Sequence, residues 1–131
     1  MEISSEYVTD REAFGIKLAD RESVQLLQGD VAMAIHIGRL MVMNAAWKLD
    51  QGEFAQAEVS AAKIQVANTL HLAVDTAIQL CGARGYSKDT VLEWMYRYAR
   101  QAKLVDGASE VHKMILARSF QKQGIDYWSW N

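Results

Sequence analysis

Not one of the 131 residues is proline. Average usage near 5% predicts about six or seven in a chain of this length. Proline lacks a backbone N–H, breaks helix interiors and recurs in loops. A chain that avoids it while using Ala, Leu, Met, Gln, Glu and Lys freely is built to be mostly helix, with brief connections. The length predicts one domain, large enough to bury its own core.

Apolar spacing divides the chain. Residues 1–19 read as a lead-in, in which Asp10 or Asp20 could cap a helix. From Asp20 to about Asp50, Val24, Leu27, Val31, Ile35, Gly38, Met41 or Val42, Ala45 and Leu49 recur in steps of three and four, the mark of one helix face. Gly29 and Gly38 lie inside this helix, where close approach of a neighbour would compensate for the missing side chain. A second helix is expected from about Glu53 to Leu80, with Phe54, Ala57, Ala61, Ile64, Ala67, Leu70 or Leu72, Val74, Ala77 and Ile78 inward. Gly82 or Gly85 suits a stop with positive φ. Thr90 and Glu93 make a candidate capping box for a third helix running to Lys103. Asp106-Gly107 interrupts, and a fourth helix runs from about Ser109 to Gln123, with Val111, Ile115 or Leu116 and Phe120 inward. The pattern predicts an all-α, four-helix up-down bundle over residues 1–131. Tyr127, Trp128 and Trp130 in the tail 125–131 are expected to pack on this domain or a neighbouring chain.

Several chemistries are weakened by the same residues. A formal net charge of −2 gives no strong field toward nucleic acid or an anionic membrane. Arg97, Arg100 and Lys103 interleave with Trp94, Tyr96 and Tyr98, a pattern that can bind single strands, but the patch is short and reads first as a solvated helix face. No histidine among His36, His71 and His112 has a Glu three residues before it, so the di-metal carboxylate site of some bundles is not expected. Cys81 alone allows no internal disulfide and no multi-cysteine metal site; without a nearby His it reads as a buried inert thiol. The N-terminal stretch MEISSEYVTDRE lacks a secretory apolar core, and apolar runs such as Leu40 to Met43 are shorter than the roughly twenty residues of a membrane span. The expectation is a cytoplasmic chain with no membrane partner and no metal.

Seven segments, in order and spacing, carry a resemblance: Arg11-x-x-Phe14-Gly15; Ala45-Ala46-Trp47; Ala61-x-Lys63; Gln79 through Tyr86; Tyr96-Arg97-Tyr98-Ala99-Arg100; Asp106-Gly107-Ala108-Ser109-Glu110; and Ala117-Arg118. Together they resemble the C-terminal helical domain of acyl-CoA dehydrogenases over about Arg11 to Phe120. Members of that family desaturate acyl-CoA thioesters between the α and β carbons. A carboxylate removes the α proton and FAD takes the β hydride.

The resemblance implies roles residue by residue. Asp106 stands where the family's catalytic Glu usually stands, one methylene shorter. Val105 replaces the usual Tyr, and Ala108 replaces a Thr whose hydroxyl normally faces the flavin. The segment from Asp106 to His112 is similar to a subgroup loop, D-G-P-x-E-V-H, that carries Asp as base. Other relatives place the base on a segment that would precede residue 1. Read without the family, Asp106 is a helix N-cap before a turn Gly. Arg11 would reach the FAD pyrophosphate of a neighbouring subunit, with Phe14 near the adenine half. Gln79, Gly82, Ala83 and Gly85 would line the same cofactor, Ala83 replacing a common Gly. Ala108 and Glu110 are carried over to the cofactor side, and Gly107 to the substrate side. The family's N-terminal helical and middle β domains have no counterpart here. The chain is therefore expected to be inactive alone, as part of a dehydrogenase, as the small subunit of a split enzyme, or as a helical module that oligomerises. Self-association as a dimer or tetramer is expected, with a larger dehydrogenase subunit and acyl-CoA as the other partners.

Overall fold

The computed structural model describes residues 1–128. Helix α1 (Glu2–Asp10) is followed by two short antiparallel strands, β1 (Glu12–Ala13) and β2 (Ile16–Lys17), and a 3-10 turn at Leu18–Asp20. Then come α2 (Glu22–Asp50), α3 (Gln56–Cys81), the one-turn α4 (Ala83–Tyr86), α5 (Leu92–Gln101), α6 (Ser109–Gln123) and a 3-10 turn at Gly124–Trp128. The all-α expectation holds, and the four main helices fall where the spacing put them.

The lead-in is a correction. Residues 2–10 form a helix, buried through Ser4 and Val8. Its apolar signal is too sparse to read, because Ser4 supplies half the buried contact and turns its hydroxyl back onto the Met1 carbonyl at 2.8 Å. Neither Asp10 nor Asp20 caps a helix: Asp10 ends α1, and α2 is led by Arg21 without a side-chain cap bond. The capping box is half made. Thr90 Oγ1 accepts the Leu92 N–H at 3.3 Å, while Glu93 pairs with Arg97 instead.

Helix α3 is the hub. Helices α1, α2, α4, α5 and α6 all pack on it. The packing descends α3 in order: Leu92 clusters with Ala77 and Cys81, Tyr96 lies tilted against His71, Lys63 bonds the Gly107 carbonyl, and His112 meets Ser60. Helices α5 and α6 therefore run the same way along one side of α3, with the Asp106-Gly107 turn between them. Because α3 is covered from several sides, its buried residues follow no single stripe and include Ser60, Thr69 and Thr76. Thr69 donates to the Ala34 carbonyl of α2.

Helix α2 has one long neighbour, and its buried ridge is narrow: Val24, Val31, Gly38 and Ala45, one residue every seven. Gly38 is the close approach that was expected, since a Cβ there would lie 3.5 Å from Val66. Gly29 is not, because a Cβ there would meet nothing within 4 Å. Its cost to the helix, about 1 kcal/mol against Ala, is unrecovered within the chain. Leu27, Leu49, Phe54, Val111 and Phe120 were placed inward and are exposed. Among the described residues only α2 is long and apolar enough to cross a membrane, but that apolarity includes the ridge that holds α3. At its end, Lys48 pairs with Glu58 at 2.6 Å, stapling α2 to α3 across the Gly52 turn. Tyr127 meets Phe120 edge-on at 5.6 Å; the Trp128 and Trp130 side chains lie outside the described residues.

Candidate functional site

Among the described residues only Phe14 and Asp106 are non-glycine residues with positive φ, each at 53°, and each is followed by a positive-φ glycine, Gly15 at 80° and Gly107 at 85°. Two successive positive-φ residues with Gly second are the pattern of a tight two-residue turn. Phe14-Gly15 closes the β1–β2 hairpin on that pattern. A bulky side chain in that region is strained, and such strain concentrates at ligand-binding and catalytic positions.

Asp106-Gly107 is the break between α5 and α6, and its backbone is held by side chains. Lys63 Nζ of α3 donates to the Gly107 carbonyl at 2.7 Å. His112 Nε2, one turn into α6, donates to the Asp106 carbonyl at 3.1 Å, and its Nδ1 lies 3.1 Å from Ser60 Oγ. The carbonyl contact requires the proton on Nε2, and Ser60 then donates to Nδ1. The Asp106 carboxylate itself is exposed and makes no hydrogen bond or ion pair among the described residues. It is not a helix cap: Ala108 is the N-cap of α6 and makes no side-chain cap bond. Ala108 is half-buried and Glu110 is exposed in the first turn of α6.

The second group lies at the other end of α3. Gly82 ends that helix at φ 58° and ψ −139°, a conformation open only to glycine. Gln79 and Ala83 flank it, both exposed. Gly85 has ordinary φ and a packing role: a Cβ there would sit 2.8 Å from the Ile78 carbonyl and 2.9 Å from Cys81 Cβ. Arg11 and Arg84 line one cleft of about 400 Å³ with Glu6, Asp10, Cys81 and Thr90. Neither guanidinium forms an ion pair with the neighbouring carboxylates, so both forks stay available to an outside anion such as a pyrophosphate. Burial pushes the Cys81 thiol above its ordinary value, against a weaker pull from Arg84; the thiol is buried, as the sequence suggested. Phe14, 98% exposed and 5.7 Å from the Arg21 guanidinium, and Gln79 are outside the cleft lining.

The two groups do not meet. Lys63, which grips the Asp106 turn, and Gln79 are sixteen residues apart on α3, or about 24 Å at the helical rise. Of the residues that fix the turn, Ser60 was missed from sequence, and His112 and Lys63 were noticed only as parts of motifs, with no role given to them. A histidine six residues after an Asp-Gly pair was the available signal. It carries no meaning until α3 supplies Ser60 from fifty-two residues away.

Residues 1–121 match the model of the acyl-CoA dehydrogenase C-terminal domain. The chain is 36% identical over 118 residues to the (R)-benzylsuccinyl-CoA dehydrogenase of Thauera aromatica, covering 89% of this chain and 29% of that one. It is 32% identical to the acryloyl-CoA reductase (NADH) of Anaerotignum propionicum, over 94% and 31% of the two chains. Among solved structures it superposes on acyl-CoA dehydrogenase from Geobacillus kaustophilus with a TM-score of 0.87 at 28% identity, over 91% of this chain and 31% of that one. The chain thus spans about a third of the length of its relatives. It belongs to the acyl-CoA dehydrogenase family, whose C-terminal domain it carries.

Proposed function

We propose that the chain works as the C-terminal domain of an FAD-dependent enzyme that desaturates an acyl-CoA thioester between its α and β carbons. Asp106 is the base that takes the α proton. The observation that carries this reading is the Asp106 turn: an unpartnered carboxylate on a strained backbone whose carbonyls are clamped by Lys63 and His112. Clamping the backbone limits where the carboxylate can reach, and a base must be held within hydrogen-bond range of the proton it removes. FAD, when bound, accepts the β hydride. Arg11 would grip its pyrophosphate, with Phe14 and Gln79, which lie outside the Arg11 cleft, and the Gly82–Gly85 turn as further contacts. Ala108 and Glu110 would serve the flavin side of the Asp106 turn, and Gly107 the substrate side. Arg11 lies beside the Cys81 end of α3 and the Asp106 turn beside Lys63, about 24 Å apart along the helix between Lys63 and Gln79, which supports a reading in which they serve different sites in an assembly of at least two copies. Run backwards, the same carboxylate would return a proton to the α carbon, the direction that the name of the acryloyl-CoA reductase describes.

The test is a chimera in which residues 1–121 replace the matching C-terminal segment of the Thauera dehydrogenase. It should retain flavin absorbance and oxidise (R)-benzylsuccinyl-CoA. Asp106→Asn in that chimera should lower kcat by roughly 10²–10⁴-fold with flavin content unchanged. Equal turnover in the variant would move the base elsewhere. A folded chimera without flavin would overturn the cofactor assignments. The isolated chain, given FAD and acyl-CoA, should show no turnover.

A further inference from the structure

Arg84 lies within the Gln79 to Tyr86 segment but has no role in the resemblance, yet it lines the same cleft as Arg11. The two come from different elements. Arg11 caps the end of α1, and Arg84 is the second residue of α4, just beyond α3. Backbone geometry sets Arg84 there. Gly82 turns the chain out of α3, and Gly85, with no room for a Cβ, lets the α4 turn press back on Ile78 and Cys81. The Arg84 charge reaches the Cys81 thiol from this position. Glu6 and Asp10 share the cleft, but both are exposed residues of α1 and pair with neither arginine. Lys17 Nζ, on the Asp10 carbonyl at 2.7 Å, adds a cation at that end.

Thr90, half-buried in the same lining, completes the donor set. Its oxygen accepts the Leu92 N–H at 3.3 Å. Its own O–H proton has no acceptor among the described residues, so it is free to donate into the cleft. Two guanidinium forks and a hydroxyl around about 400 Å³ suit a diphosphate group, because each phosphate can take one fork in two parallel hydrogen bonds. A carboxylate or a single phosphate would leave one fork unused.

We infer that Arg84, with Thr90, holds the cofactor's pyrophosphate together with Arg11, so that the bound cofactor ties α1 to the corner between α3 and α4. The assignment rests on the flavoenzyme reading above.

The test uses the same chimera, stripped of flavin and titrated with FAD by flavin fluorescence. Arg84→Gln should weaken FAD binding by about 10–100-fold, and Thr90→Val by about 2–10-fold. Arg97→Gln, which removes an exposed cation on α5, should bind FAD as the parent does. The difference between Arg84→Gln and the parent should shrink as salt is raised, because salt screens the contact that only the parent makes. Arg84→Lys should recover part of the loss, as a point charge without the fork. FAD should also slow amide exchange across Glu2–Asp10 in the parent, and do so less in Arg84→Gln saturated with FAD. Equal affinity in Arg84→Gln and the parent would overturn the assignment and leave Arg11 and the flavoenzyme reading standing. A loss that ignores salt and that Arg84→Lys does not ease would make Arg84 a residue of the fold alone, and overturn it too. A parent chimera that binds no FAD would remove the flavoenzyme reading, and the assignment with it.

Discussion

His112→Ala is the most informative single change. The imidazole bridges Ser60 Oγ and the Asp106 carbonyl, each at 3.1 Å. Ser60 is 1% exposed, so removal of the ring strands a buried hydroxyl, at about 1–3 kcal/mol. The Asp106 residue is exposed; water replaces the ring at its carbonyl, and that loss is about 0.5–1 kcal/mol. The sum, about 1.5–4 kcal/mol, is a large part of the stability of a domain this size. In urea, with a slope of roughly 1–3 kcal/mol per molar, the midpoint should fall by about 1 M while the slope stays constant. Ser60→Ala removes the other partner. In a double-mutant cycle the two should couple by at least about 0.5 kcal/mol, as contacting residues do. If His112→Ala costs less than about 0.5 kcal/mol, the ring does not hold the turn. The clamped-carboxylate account of Asp106 would fall with it.

Gly85→Ala should destabilise by about 1–3 kcal/mol, because its Cβ would press on the Ile78 backbone, which cannot rotate away; thermal melts check this against Gly29→Ala, which meets nothing. Cys81 should stay unmodified by a disulfide reagent at mildly alkaline pH and react only when the chain unfolds, since it is 2% exposed and its pKa is raised by burial. The Lys48–Glu58 pair sets two limits on stability. Glu58 is pushed up by desolvation, but its bonds to Lys48 and to backbone outweigh this and leave it below its ordinary 4.5, so its contribution is present above that value and lost as pH falls through the lowered pKa. Lys48, raised above 10.5 by its Glu58 bond against some desolvation, contributes below that value and loses its share as pH rises through the raised pKa; Glu58→Gln should flatten both arms of a stability–pH curve followed by urea midpoint.

The long helices were legible because their signal is local. Val24, Val31, Gly38 and Ala45 were all placed inward and all are buried. Leu27 and Leu49 were grouped with them, and they lie exposed because one neighbour covers a narrower strip than a sequence pattern implies. Helix α1 hid behind Ser4, a polar residue that packs only because its hydroxyl finds a carbonyl in its own turn. Asp106 and Arg11 were singled out through resemblance, since neither periodicity nor charge marks them. Their placement beside opposite ends of α3 could not be read from the chain, for it depends on α5 and α6 running the same way. The clamp at Asp106 was likewise hidden, because its parts come from Ser60, Lys63 and His112 on two helices.

The position of α3, on which α1, α2, α4, α5 and α6 all pack, bears on how the chain is made. Synthesis runs from the N-terminus, and α1 and α2 leave the ribosome before the helix they both need. Val8 and Val24 close a cluster only with Leu80. At about 5–20 residues per second, residues 1–80 take roughly 4–16 s, and until α3 emerges the ridge of α2 stays uncovered. A nascent helix in that state is a natural client for a holding chaperone, and ribosome-bound chains stopped before Leu80 should be more readily cross-linked to one than chains stopped well beyond it.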